Sequence, residues 1–273
     1  MKRTLGRPFL EILSSALRED YRFPLLEIFV FLFGVSTFVF SSSIATSSIS
    51  SSGVTTQSWI YDVANSLLGL PLLILAILVL KNLAYGLGTD IENGTIQTLL
   101  SYPMRRRLLL TAKLLSGIVV PLAIFLSIQF TALFVLAPDI VSSQLLIVSL
   151  TFAASIAEPL LLASTVLILS LVFKRGGPAL IAGIIMFFIL QVAQGLSSFF
   201  VSSTGSPLAM KIISLLSPTI AVRALFGATV GIASSVQWHP SLVEVIGYVA
   251  SGYSVSFALL AISYWYFSRH FEP

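Results

Sequence analysis

A carboxylate followed by a proline, Glu158-Pro159, lies near the middle of a long apolar run. An ionisable group at bilayer depth is costly, so it faces protein or a watery cavity and marks a path, a relay or a binding site. Pro159 withholds a backbone N–H and can bend the helix there. Gln129, Gln191 and Gln194 fall at or near mid-depth of two other apolar runs, and with Glu158 they could line a translocation path. The same four residues also read as a structural hydrogen-bond cluster between helices, with Glu158 protonated. Other chemistry is hard to build from this chain. It has no Cys, hence no thiolate nucleophile, thiolate metal site or disulfide. Its two histidines, His239 and His270, lie outside the long apolar runs. No Gly-x-Ser-x-Gly or His-Glu-x-x-His occurs. None of the five lysines follows a glycine, so the phosphate-binding Gly-Lys-Ser/Thr element is missing. The expectation is a non-enzyme with no catalytic residues, no metal site and no cofactor of its own.

The elements that hold these residues follow from composition. Of 273 residues, 56% are hydrophobic and only 10% charged, and mean hydropathy is +0.99. Soluble domains carry roughly 25% charged residues, so this chain cannot cover a water-facing globule. Its apolar content excludes disorder. A membrane helix needs about 20 apolar residues, and six segments qualify: about 24–44, 59–80, 108–137, 145–173, 178–201 and 242–267. The fold class is therefore all-α integral membrane protein, with residues 1–23 as a cytoplasmic N-terminal segment and 24–273 as a six-span domain. Placing the N-terminus in the cytoplasm puts thirteen of fifteen basic residues inside, leaving only Lys211 and Arg223 outside. Both termini are then cytoplasmic. The N-terminus does not read as a cleavable signal, because Glu11, Glu19 and Asp20 follow its basic residues and the first long apolar run starts late.

The connections carry further expectations. Phe9, Ile12, Leu13, Ala16 and Leu17 recur at helical spacing over Gly6 to Asp20, which predicts an amphipathic helix lying in the cytoplasmic interface or packed on other protein. Residues 41–58 hold 12 Ser or Thr and read as an outer solvated loop. Between spans two and three, Asn93 or Asp90 can cap a short helix that Pro103 ends, with Ile96, Leu99 and Leu100 on one side. Such a helix suits docking to a soluble partner, or packs under its own spans. The 40 residues before span six contain two apolar stretches, each too short to cross, separated by Pro218. Gly227 and Gly231 could allow close helix contact. Lys211, Arg223 and Trp238 read as outer-interface anchors.

The loop also resembles a known signature. Glu92-x-Gly94-Thr95, then Leu99-Leu100-Ser101-x-Pro103, Arg105 to Arg107 and Lys113-Leu114 is similar to the signature of ABC-2 type transporter permeases, with Ala112 where that family usually has Gly. Ser217-Pro218 with Arg223 resembles an element of the subgroup that includes the permease of nitrous-oxide-reductase maturation. The resemblance implies that the loop helix is a coupling helix seated on a separate ATP-binding subunit. It gives Glu92, Gly94, Thr95, Ile96, Leu99 and Leu100 a role in transmitting motion. It also implies re-entrant outer helices between spans five and six, and a second permease subunit, a copy or a paralogue. Two cytoplasmic ATPase subunits would carry ATP and Mg. Contact with membrane lipid, no nucleic acid partner, export across the cell membrane and a prokaryotic source complete the expectation. An ion-coupled secondary carrier or a membrane scaffold using Glu158 is the alternative. The cargo is not legible: the amide and apolar lining suits lipids, peptides, drugs or polar solutes equally, although four Met and no Cys argue against a soft-metal relay.

Overall fold

The computed structural model describes residues 6–22, 24–46, 56–101, 106–136, 144–226 and 238–270, and these are helical apart from short links. Helix α1 spans Gly6–Asp20 and α2 spans Leu25–Thr46. Their axes meet at 66°, so the chain lies along one direction as α1 and turns at Pro24 into the first span. Helix α3 (Thr56–Leu83) does not stop at the end of its apolar stretch. It continues through a π-helical segment, Ala84–Thr89, to a last turn, Asp90–Glu92. After a two-residue turn comes the short α4 (Thr95–Ser101). Helix α5 is built from Arg106–Leu114, a π-helical turn Leu115–Val119, and Val120–Leu136. Helices α6 (Leu145–Phe173) and α7 (Gly176–Thr204) are joined by Lys174 and Arg175 alone, with Lys174 in the left-handed conformation at φ 54°. Two short helices follow, α8 (Leu208–Ser214) and α9 (Thr219–Phe226), then α10 (Leu242–Arg269), opened by a capping box between Ser241 and Glu244.

Among the described residues five helices are long and apolar enough to cross a membrane, and the count reaches six if the bent pair α1–α2 is one span. The chain is an all-α integral membrane protein. Spans four and two form its centre: 67% of the apolar window of α6 is buried, against 17% for α7 and for α10. The outward faces of those peripheral helices are rich in Ile, Phe and Val, among them Ile185, Ile189 and Val192. A bilayer tolerates such surfaces, whereas water does not.

Two expectations are corrected here. Neither Asp90 nor Asn93 starts a free-standing loop helix, because α3 runs on to Glu92 and Asp90 is buried in an ion pair. The turn is made at Gly94, whose φ of 73° falls in the left-handed region that a side chain resists. Trp238 is buried edge-on against Tyr248 rather than standing free as an anchor. The loop at 47–55, Pro103 and Arg105, and Gly227 with Gly231 lie outside the described residues.

Candidate functional sites

The first site, at the loop end of the bundle, begins with a proline. Pro121 has no N–H, and the preceding π-turn sends the Val120 N–H to the Leu115 carbonyl. The Ser116 carbonyl therefore loses both of its normal donors along the helix, one redirected and one absent. Tyr21, just beyond α1, satisfies it: its hydroxyl donates to Ser116 O at 2.7 Å and accepts from Asn82 Nδ2 at 3.3 Å. The Ser116 hydroxyl donates to Asp20 Oδ2. Lys81 Nζ reaches the Asp20 carbonyl at 2.9 Å and Asn82 Oδ1 at 3.1 Å. Lys113, almost fully buried, sits between Asp90 at 2.6 Å and Glu19 at 2.7 Å, and also donates to Gly86 O at 3.1 Å. Burial pushes the Asp20 carboxyl up from its ordinary range, opposed by the Ser116 hydrogen bond and by the Lys113 and Lys81 ammoniums. This network locks α1, the C-terminal end of α3 and the start of α5 together.

Onto that platform the loop and α7 are fitted closely. A Cβ on Gly88 would stand 2.6 Å from the Gly176 Cα, and one on Gly176 would stand 2.6 Å from the Ala84 carbonyl. Only glycine permits this approach. Glu92 Oε2 accepts from the Gly176 N–H at 3.4 Å, placing a carboxylate at the positive end of the α7 dipole. In α4, Ile96 points inward and is fully buried, while Leu99 and Leu100 are half-buried against the core. The exposed face is polar: Glu92, Thr95, Gln97 and Thr98. The apolar side of the loop helix thus packs under its own spans, and Ile96 is not part of an outward docking surface.

The intramembrane site centres on Glu158, near the midpoint of the 29-residue α6. Gln191 Nε2 donates to its Oε1 at 2.9 Å and Gln194 Nε2 to its Oε2 at 3.2 Å. Gln194 Nε2 also lies 2.8 Å from Ser217 Oγ, which is 3.0 Å from Thr219 Oγ1. Ser217 sits in the link between α8 and α9. Pro218 beside it packs on Gly252 of α10, where a Cβ would meet the proline ring at 3.1 Å. The segment between α7 and α10 therefore dips to the depth of Glu158 and returns, as a re-entrant backbone can only where protein covers it. Gln129 does not join this cluster. It donates to Thr37 of α2 at 2.7 Å, and its carbonyl oxygen is buried with no partner among the described residues. A cavity of about 400 Å³ opens beside it between α2 and α5, lined by Gly34, Thr37, Phe38, Ser127 and Thr131. The Ser127 and Thr131 hydroxyls there are spent on their own helix.

Sequence reasoning missed most of the network around Lys113 and Ser217 as a partner of Gln194. One signal was present: Lys113 falls inside the predicted third span, and a cation there requires carboxylates. Among the described residues no group of three His, Cys, Asp or Glu is arranged to hold a metal.

The chain is thus a multi-pass helical bundle with a buried polar site at mid-depth and a loop seated on one of its spans. The model of the ABC-2 family transporter protein matches residues 87–270, and the chain belongs to that family. No curated protein matches it. Membership makes it a transmembrane transporter component and implies an ABC ATPase as its partner.

Proposed function

We propose that this chain is the permease subunit of an ABC exporter in a prokaryotic cell membrane. Both termini are cytoplasmic. Two permease subunits, identical or paralogous, work with two ATPase subunits that bind ATP and Mg. The segment from Glu92 to Leu100 meets the ATPase through its polar face. The likeness of Ser217-Pro218 and Arg223 to the nitrous-oxide-reductase maturation subgroup supports placing the chain near that subgroup.

One observation carries the reading. The π-segment of α3 and Glu92 are seated on the N-terminus of α7, and the same α7 carries Gln191 and Gln194, which hold Glu158. A straight helix is stiff, and the fifteen residues from Gly176 to Gln191 span about 22 Å at 1.5 Å per residue. Motion of the loop pushes on the start of α7 and arrives at the polar site. The network around Lys113 holds the interfacial helix and α5 still, so the push has something to act against.

The test uses the exposed face of α4, where substitutions spare the core. Thr95→Arg with Thr98→Arg should abolish co-purification of the ATPase while membrane insertion and thermal stability stay as in the native chain. Retained ATPase binding would overturn the docking assignment. Uptake into vesicles driven by an ion gradient, without any ATPase, would instead favour the secondary carrier.

A further inference from the structure

We infer that the cargo is an amphiphilic cation and that Glu158 is its counter-charge, with the charged group meeting the Glu158 carboxylate and the Gln191 side-chain oxygen. Three observations support this. First, Glu158 is the one carboxylate near mid-bilayer, and among the described residues it is in no ion pair. Its partners are amide N–H groups. The buried carboxylates at the cytoplasmic edge are treated differently, since Lys113 contacts Asp90 directly. Second, both amides turn N–H groups toward Glu158, which leaves an acceptor facing away from it. Gln191 Nε2 gives one of its two N–H groups to Glu158, and its side-chain oxygen accepts no hydrogen bond among the described residues. A carboxylate with an amide oxygen beside it favours a ligand group that carries positive charge. Third, the site is open on one side. Glu158 is 5% exposed, while Gln191 is exposed on the face of α7.

The apolar half of the ligand follows from the same face. Phe187 and Phe188 lie one turn from Gln191 on α7, with ring centroids 5.8 Å apart at 73°. Aromatic rings beside an anionic centre hold an organic cation by its apolar body and through the ring quadrupole. A small inorganic cation would gain nothing from them and would need more oxygen ligands than are present.

This inference rests on the transport reading only for the source of drive, and the two fail separately. The measurement is equilibrium binding of radiolabelled tetraphenylphosphonium to the full chain, purified with its ATPase partner in lipid nanodiscs. Tetraphenylborate, of nearly the same size and shape and opposite charge, is the competitor. Saturable binding of the phosphonium is expected, tenfold or more weaker in Glu158→Gln, less weakened in Glu158→Asp, and not displaced by the borate. Absent binding, equal displacement by the borate, or unchanged binding in Glu158→Gln overturns the inference. If Glu158→Gln does not fold, Gln191→Leu serves: a loss of threefold or more is expected, and unchanged binding overturns the claim. ATP hydrolysis by the same sample is the second readout. Charge-selective binding with no stimulation would leave the counter-charge standing and remove the transport reading. Stimulation by neutral compounds, with no phosphonium binding, would do the reverse.

Discussion

The two polar sites of this protein are built from similar residues and behave as opposites. At the loop end of the bundle every buried carboxylate among the described residues has a lysine acting on it, and the backbone carbonyl freed by Pro121 has its own hydroxyl donor. At mid-bilayer Glu158 has two amides, and one flank of the site is exposed. The first site is closed: Lys81 and Lys113 act within it on Glu19, Asp20 and Asp90. The second keeps a carboxylate that has no cation among the described residues, where desolvation is most costly. A network that only holds helices together has no reason to leave its carboxylate without a cation, so the second site is where function is expected.

That contrast can be broken most forcefully at Lys113. Lys113→Met leaves Asp90 buried without its cation and should cost about 3 kcal/mol. The loss would show as a clear fall in thermal stability in detergent, and Asp90→Leu added to it should recover part of the loss. An unchanged stability would mean the closed site is not a structural clamp. Next in size is Gly176→Val, which forces side-chain atoms onto the Ala84 carbonyl and should cost about 1–3 kcal/mol. Basal ATP hydrolysis by the complex should persist while ligand stimulation is lost, so retained stimulation would remove α7 as the connecting rod. Tyr21→Phe orphans the Ser116 carbonyl at a cost of about 1–2 kcal/mol, read as a smaller stability loss with ligand response preserved. The smallest stability effect belongs to Glu158→Gln, expected below about 1 kcal/mol, because the new amide oxygen can still accept from Gln194 while Gln191 turns its own oxygen to accept from the new N–H. Stability there should hardly move while ligand response falls. A large stability loss would place Glu158 with the structural network instead.

Much of the fold was legible because a bilayer imposes simple demands. The fourth span was expected at 145–173, and its helix occupies that range. The acyl core punishes polar residues over a fixed thickness, so composition alone marks the crossing. Glu158 was legible for the same reason, and its two partners on span five were named with it. Gln129 was grouped with them wrongly, since depth can be read from sequence but azimuth around the bundle cannot. Ile96 shows a related limit. Its spacing with Leu99 and Leu100 defines an apolar face without saying whether that face meets a partner or the protein's own core, and here it meets the core. The extension of α3 to Glu92 was not visible either. The π-helical register that carries it depends on packing between Gly88 and Gly176, far apart in the chain.

By itself, then, the sequence determined that the chain is a helical membrane protein, where it crosses and which loop carries the family signature. Those properties come from residue type and local spacing, and the bilayer reads them one segment at a time. Tertiary structure alone decided which helices are central, which glutamines reach Glu158, that Lys113 closes one polar site, and that the other stays open. Each of these turns on rotation and close approach between segments distant in the chain, set by small residues and buried hydrogen bonds across many helices at once.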